Sequence, residues 1–138
     1  MLKLLKLAAE YSASHSNDKR LFLLGAVGVR NDGRIVHARN DAVRDTLSRD
    51  KQSTFNIYKR FPDSHAEVRL TRKLGFNATI YVARVTKGTH ELAMSRPCEV
   101  CMGVLKAFRV KKAYYTISPE EYGVFDFSTG EDTFYGKR

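Results

Sequence analysis

Apolar positions recur at helical spacing in three parts of the chain and predict three helices. The first is expected over residues 2–14, where apolar residues line one face and charged residues another. A second is expected from Ser64 to Leu74, since Gly75 fits the left-handed position just past a helix. A third is expected to start at Pro97, because proline is favoured at a first helical position.

Apolar or alternating runs predict five β-strands, over residues 21–29, 34–39, 78–85, 111–117 and 122–127. Asp32-Gly33 predicts that the first two strands form an antiparallel hairpin. The helix between the third and fourth strands predicts a parallel crossover. The expected fold class is therefore α/β, a three-layer α/β/α sandwich with a five-stranded mixed sheet. Residues 40–63 are predicted to be irregular, and 128–138 to be a polar tail.

The length and composition predict one globular domain over residues 1–138. An apolar fraction of 43% with 28% charged residues favours neither a disordered chain nor a membrane protein. Lys3 and Lys6 interrupt the apolar N-terminus at helical spacing, so we interpret it as an amphipathic helix rather than a signal peptide. Two cysteines at C-x-x-C spacing indicate metal or redox chemistry in a reducing compartment, so a cytoplasmic location is expected, without membrane association.

The formal net charge of +9 is unevenly placed, with the basic excess in residues 1–112 and an acidic excess in 113–138. Such a balance suggests a polyanionic partner. Charge that merely keeps the protein soluble is the alternative, and the charge alone does not decide between them.

Four side chains at the two later helix starts form a candidate zinc centre. Cys98 and Cys101 lie one turn apart at the third helix, where the positive end of the helix dipole favours thiolates, and His65 lies at the start of the second. A catalytic zinc takes three such protein ligands and keeps a fourth position for water. Glu67 would lie beside this metal as a general base and then a general acid.

Each fragment also has a structural explanation. Ser64 and Glu67 fit a capping box, and a lone C-x-x-C can be a redox pair. His37 or His90 could supply a fourth ligand and make the zinc purely structural, although their spacing does not require it.

The "HAE" at residues 65–67 and "PCEVC" at residues 97–101 resemble the zinc-dependent cytidine and deoxycytidylate deaminase superfamily, and the likeness covers roughly residues 1–127. The resemblance implies one zinc per chain on His65, Cys98 and Cys101, with Glu67 as the catalytic proton shuttle. It further implies a hydrolase in which activated water attacks the ring carbon bearing the amino group, and ammonia leaves. Members of the superfamily often self-associate, which leaves a homo-oligomer open.

The resemblance also implies substrate contacts. The backbone N–H of Ala66 would bind the base carbonyl, and Asn40 would contact the sugar or base. Pro97 would also contact the substrate. Many polynucleotide deaminases of the superfamily carry Ser directly before "PC", whereas this chain has Ser95, Arg96 and Pro97, so the substrate class stays open.

Three hypotheses remain for the partner. The favoured one is cytosine in single-stranded DNA, because basic and aromatic residues precede the second helix. The predicted nucleic-acid contacts are Arg39, Arg44, Arg49, Lys51, Tyr58, Lys59 and Arg60. Free deoxycytidylate or cytidine is a close alternative, and adenine in RNA uses the same motif. A zinc-stabilised nucleic-acid-binding protein without turnover is the third.

Overall fold

The computed structural model describes residues 2–13, 23–40 and 66–136, and these contain three helices. Helix α1 spans Lys3–Ala13, α2 spans Ala66–Leu74 and α3 spans Glu99–Ala107. The strands are β1 (Leu23–Val29), β2 (Ile35–Arg39), β3 (Thr79–Val85), β4 (Leu92–Ala93), β5 (Lys112–Ser118), β6 (Glu121–Asp126) and β7 (Glu131–Gly136).

The strands form one mixed sheet in the order β2-β1-β3-β5-β6-β7, with β4 paired to β3. Only β3 and β5 pair in parallel within the described chain, across the α3 crossover, and β1–β2 is the predicted antiparallel hairpin. The α/β class and the mixed sheet are therefore confirmed.

The sheet has seven strands in the described ranges, so the predicted five is wrong. Strand β4 has two residues and carries no periodic signal. Strand β7 occupies the segment predicted to be a polar tail. It pairs along its whole length with β6, but most of its side chains are exposed, and an edge strand of this kind looks like a tail in the sequence.

Helices pack on the sheet through two separate apolar clusters. Ala8 of α1 packs with Val27 and Ala83, whereas Ala26 and Val82, one residue away on the same strands, pack with α2 and α3. Successive side chains of a strand point to opposite faces, so α1 lies on the face opposite α2 and α3. No helix in the described ranges has the length and apolarity needed to cross a membrane.

The sheet has two distinct ends, which position everything that follows. At the helix-start end, α2 and α3 begin and β3 and β5 finish. At the far end, the connections that follow α2, α3 and β6 meet: Asn77 N–H donates to Arg109 O (3.0 Å), Lys111 N–H to Ala78 O (2.8 Å) and Phe127 N–H to Lys111 O (3.0 Å). Helices α2 and α3 therefore both run from the helix-start end towards the far end.

Candidate active site

Helix α2 begins with two buried residues at the helix-start end. Ala66 is fully buried and Glu67 is only 3% exposed. The Glu67 Oε1 atom is buried and has no hydrogen-bond partner among the described residues. Burial raises the pKa of the Glu67 carboxyl, against the opposing effect of hydrogen bonds from its own backbone N–H and from the Cys101 thiol. Such a carboxyl, buried and incompletely satisfied, is suited to exchange protons with a bound group.

Helix α3 begins at Glu99, so the predicted start at Pro97 is wrong. Cys98 is the N-cap residue, with extended backbone angles (φ −66°, ψ 166°), and Pro97 is a buried residue just before it. The fixed φ of proline suits this extended approach as well as it suits a first helical turn, and for that reason the sequence did not separate the two positions. Cys98 is exposed and Cys101 is buried one turn later, and neither forms a disulfide.

The environment of Cys101 differs from the sequence-based expectation of a lowered thiol pKa. Burial, together with the nearby Glu67 and Cys98, raises the pKa of the Cys101 thiol far above its usual range. The dipole of a nine-residue helix does not outweigh these effects. A coordinated cation would hold this sulfur as a thiolate, because a metal deprotonates its thiol ligand outright. The donor set is thus chemically suited to zinc, whose preferred ligands include cysteine sulfur.

Ser95 anchors the loop that delivers the two cysteines. Its side chain is 4% exposed, and its hydroxyl donates to Val82 O of β3 (2.8 Å) while accepting from Thr116 N–H of β5 (2.7 Å). The Thr116 hydroxyl in turn donates to Ala93 O (2.6 Å). Ser95 therefore bridges the ends of the two parallel strands, three residues before Cys98.

Arg96, the next residue, is held by the C-terminal hairpin. Its guanidinium donates twice to the Asp132 carboxylate of β7, from Nε (3.2 Å) and from Nη2 (3.0 Å), and lies over the Phe125 ring at 5.5 Å. Asp132 also accepts from the Tyr115 hydroxyl of β5. Burial works to raise the pKa of Asp132, but the hydrogen bonds from Arg96 and Tyr115 outweigh it and lower the pKa. The site loop is thus tied to three strands.

Ser95, Thr116 and Asp132 are the residues of this region that sequence reasoning missed. Ser95 was noted only as a departure from a motif, and its buried hydrogen bonds explain it. The Arg directly before Pro-Cys gave no signal of its carboxylate partner, because the Arg96 side chain is 38% exposed and an exposed arginine can stay solvated. That partner lies 36 residues away, and no local pattern indicates it.

Asn40 and Arg39 lie at the end of β2, at the helix-start end of the sheet. The Asn40 side-chain oxygen accepts from Leu24 N–H (3.0 Å), and the Asn40 N–H donates to Leu24 O (3.1 Å), which fixes this residue against β1. Strand alternation places Arg39 on the α1 face. The remaining predicted residues, His65 and the candidate nucleic-acid contacts Arg44, Arg49, Lys51, Tyr58, Lys59 and Arg60, lie outside the described residues, as does Ser64 of the capping box.

Neither described histidine joins the cysteines. His37 stacks on Tyr11 of α1 (centroids 3.8 Å apart), on the face opposite α2 and α3. His90 is exposed in the turn after β3. Within the described ranges no three His, Cys, Asp or Glu side chains form a group able to hold a metal ion, so the predicted third ligand, His65, stays a prediction.

The fold and the paired cysteines facing a buried glutamate define a zinc-binding α/β domain of the deaminase class. The zinc-binding region of cytidine and deoxycytidylate deaminases matches residues 2–117. The chain belongs to this family, which confirms both the recognition from "HAE" and "PCEVC" and the zinc cofactor. No curated protein matches the chain.

Proposed function

We propose that this protein is a hydrolase that converts cytosine to uracil in single-stranded DNA, with release of ammonia. The observation that carries the deaminase chemistry is Glu67, whose buried carboxyl contacts the thiol of Cys101 while its Oε1 atom has no hydrogen-bond partner among the described residues. A capping glutamate at a helix surface has no need of such burial. The proposal includes a three-layer arrangement of helices around the sheet, supported by the separate clusters on its two faces.

In the proposed mechanism the residues of the chain divide the work. His65, Cys98 and Cys101 would hold zinc, which when bound lowers the pKa of a water molecule and so supplies a nucleophile near neutral pH. Glu67 takes one proton from the attacking water and passes it to the ring nitrogen. As the C–N bond breaks, it transfers the second proton, from the new hydroxyl group, to the amino group, which leaves as ammonia. The N–H of Ala66 is among the first of α2, which have no partner within the helix, and it binds the base carbonyl. Asn40, fixed against β1, contacts the sugar.

Free deoxycytidylate or cytidine is the second candidate substrate, and a specific observation favours it. The helix-start end carries exposed carboxylates at Glu91, Glu99 and Glu120 alongside its cations. Acidic groups of this kind do not favour a path for several backbone phosphates. A single phosphate needs far fewer cations, so a free nucleotide fits this end as well as a strand does. A non-catalytic zinc protein is disfavoured by Glu67, which such a protein would not need to bury.

The deaminase assignment is tested with Glu67→Ala. We expect this variant to keep its zinc and its fold but to lose ammonia release by at least about 100-fold, the usual contribution of a general acid–base group. Ammonia release and bound zinc are measured on the same preparation. Glu10→Ala on the exposed face of α1 is the matched control and should turn over like the parent. Continued turnover by the Glu67 variant would contradict the mechanism.

The substrate is tested with a matched panel of deoxycytidylate, cytidine, single-stranded DNA, duplex DNA and RNA, with uracil and inosine detected by mass. Uracil from single-stranded DNA supports the proposal. Uracil from monomers alone would replace it with the free-nucleotide alternative, and inosine from RNA would replace cytosine with adenine. Affinity for a strand should also fall by orders of magnitude between about 50 and 200 mM salt if several phosphates are contacted, and far less for a monomer.

A further inference from the structure

The far end of the sheet gathers cationic side chains from every connection that meets there. The β1–β2 turn, the last turn of α2 and the α3–β5 connection contribute Arg30, Arg34, Arg72, Lys73, Lys106, Arg109, Lys111 and Lys112. The carboxylates of the same end are Asp32, Asp126 and Glu131. This end is therefore strongly basic, and it is opposite the one that carries Glu67 and Cys101.

Part of this surface is a groove of about 480 Å³ between the end of α3 and the turn after β6. The side chains that matter here are Lys106, Arg109, Lys111, Lys112, Asp126 and Phe127. All four cations are exposed, and Phe127 is half-buried in the wall. Arg109 also lies over the ring of Phe76, which is 57% exposed (5.5 Å from guanidinium carbon to ring centroid). The groove thus combines exposed cations with Phe127, and the ring of Phe76 lies beside it under Arg109.

The carboxylates at this end offset part of that charge, since Asp32 pairs with Arg30 and Asp126 lies opposite Lys112 in the β5–β6 ladder. Asp32 is held by Arg30 (3.4 Å) and by the backbone N–H of Arg34. Asp126 accepts from the hydroxyl and the N–H of Ser128. Among the described residues, no carboxylate forms an ion pair with the groove residues Lys106, Arg109 or Lys111.

We propose that the far-end groove binds the phosphate backbone of a polynucleotide strand, at a site separate from the catalytic centre. Lysine and arginine side chains in a groove neutralise successive phosphates, and bases stack on aromatic rings without regard to sequence. A free phosphate shares this chemistry but cannot use the whole basic surface. An acidic peptide would satisfy the cations but, unlike a strand, brings no bases to stack on the aromatic rings.

The two sites are too far apart for one nucleotide to occupy both. Strand β3, which runs between the two ends, has seven residues and is about 20 Å long at 3.3 Å per residue. A strand bound in the far-end groove would therefore be held apart from the catalytic centre, as an anchor that does not depend on turnover. It goes beyond the proposed function, since it would hold whether the reacting base is part of that strand or not.

The experiment uses the whole chain and fluorescent oligothymidylate of about 15 nucleotides, within the usual range of single-strand binding sites. Thymine carries no amino group to hydrolyse, so a failed deamination assay and a failed binding assay remain distinguishable. The variant is Lys106→Ala/Lys111→Ala, and the matched control is Lys3→Ala/Lys6→Ala on the exposed face of α1, which removes the same charge elsewhere. Thermal melts of both variants verify the fold.

For single strands the slope of log binding constant against log salt falls by about 0.7 per phosphate contact. We therefore expect the groove variant to bind more weakly, with a slope shallower by about 1.4, while the α1 control keeps the parent slope. Equal slopes in the two variants would overturn the proposal. It would also be overturned if deoxycytidylate or polyglutamate displaced the labelled strand as efficiently, per charge, as unlabelled oligothymidylate does.

Discussion

At the scale of single residues, the candidate site depends on contacts between side chains that are far apart in the sequence. Glu67 and Cys101 were expected to lie together because their residue types and spacing suit a zinc centre, and the structure places them in contact. The supporting contacts of Ser95 and Arg96 were not predicted, since their partners Thr116 and Asp132 are brought near only by sheet pairing. The same limit applies to the pKa of Cys101, which depends on burial that no local pattern reports.

We expect Asp132→Asn to destabilise the protein by about 1–2 kcal/mol at pH 7, because it removes the charged acceptor of a two-bond arginine contact. The hydrogen bonds from Arg96 and Tyr115 outweigh burial and lower the pKa of Asp132 below that of a free aspartate. Its stabilising effect is therefore present above the unfolded-state pKa and lost as the pH falls through the folded-state pKa. The parent should therefore lose more stability than the variant as the pH is lowered from 5 towards 3.

Urea unfolding at several pH values measures this. Glu131→Gln, which removes a charge from the neighbouring exposed position of β7, is the control and should unfold like the parent. If Asp132→Asn and Glu131→Gln unfold alike at every pH, the contact with Arg96 contributes nothing to stability.

At the scale of helices and strands, apolar periodicity and turn residues predicted the elements that pack in the core. The hairpin, the parallel crossover and the end of α2 at Gly75 follow from turn residues and apolar spacing, and Gly75 has the expected positive φ of 67°. Strand β7 and the start of α3 did not follow. An exposed edge strand has no buried face to create a pattern, and proline fits both sides of a helix start.

Helix α1 approaches β1 closely enough that only glycine fits between them. A Cβ on Gly25 would lie 2.2 Å from the backbone oxygen of Ala8 and 2.9 Å from the backbone nitrogen of Ser12, which cannot move aside as a side-chain end can. We expect Gly25→Ala to destabilise the protein by about 1–3 kcal/mol, measured by urea unfolding.

Gly103→Ala in α3 is the matched control for this prediction. Nothing lies within 4 Å of a Cβ there, so the change should be neutral or stabilising by up to about 1 kcal/mol, the helix preference of alanine over glycine. Equal effects of the two substitutions would show that α1 can shift away from β1 without cost.

At the scale of the whole molecule, the described cations are unevenly distributed between the two ends of the sheet. The net charge of +9 indicated a polyanionic partner, and the predicted contacts were placed in residues 39–60. Among the described residues, cations concentrate at the far end, because chain connections distant in sequence converge there, and of the predicted contacts only Arg39 lies within the described residues. Such a distribution depends on topology, and a running count along the chain does not contain it.

Zinc should stabilise the whole fold, because its predicted ligands come from the starts of two different helices. We expect a chelator to lower the melting temperature and added zinc to restore it, with about 1.4 kcal/mol gained per tenfold excess of free zinc over its dissociation constant. Magnesium, which prefers oxygen ligands, should have no such effect. Cys101→Ser should weaken the response to zinc. A melting temperature indifferent to chelation would contradict a resident metal.

The pairing of Arg96 with Asp132 also indicates which part of the chain is needed to hold the site loop in place. The family match finishes at residue 117, yet the aspartate that restrains the loop bearing the cysteines is Asp132 of β7. A chain truncated after residue 117 would lose β6, the strand that pairs with β5. The backbone N–H and C=O groups of β5 would then be exposed at a sheet edge, and the truncated chain would be prone to aggregate. The β6–β7 hairpin is therefore better regarded as a support for the loop that carries Cys98 than as a separate C-terminal extension.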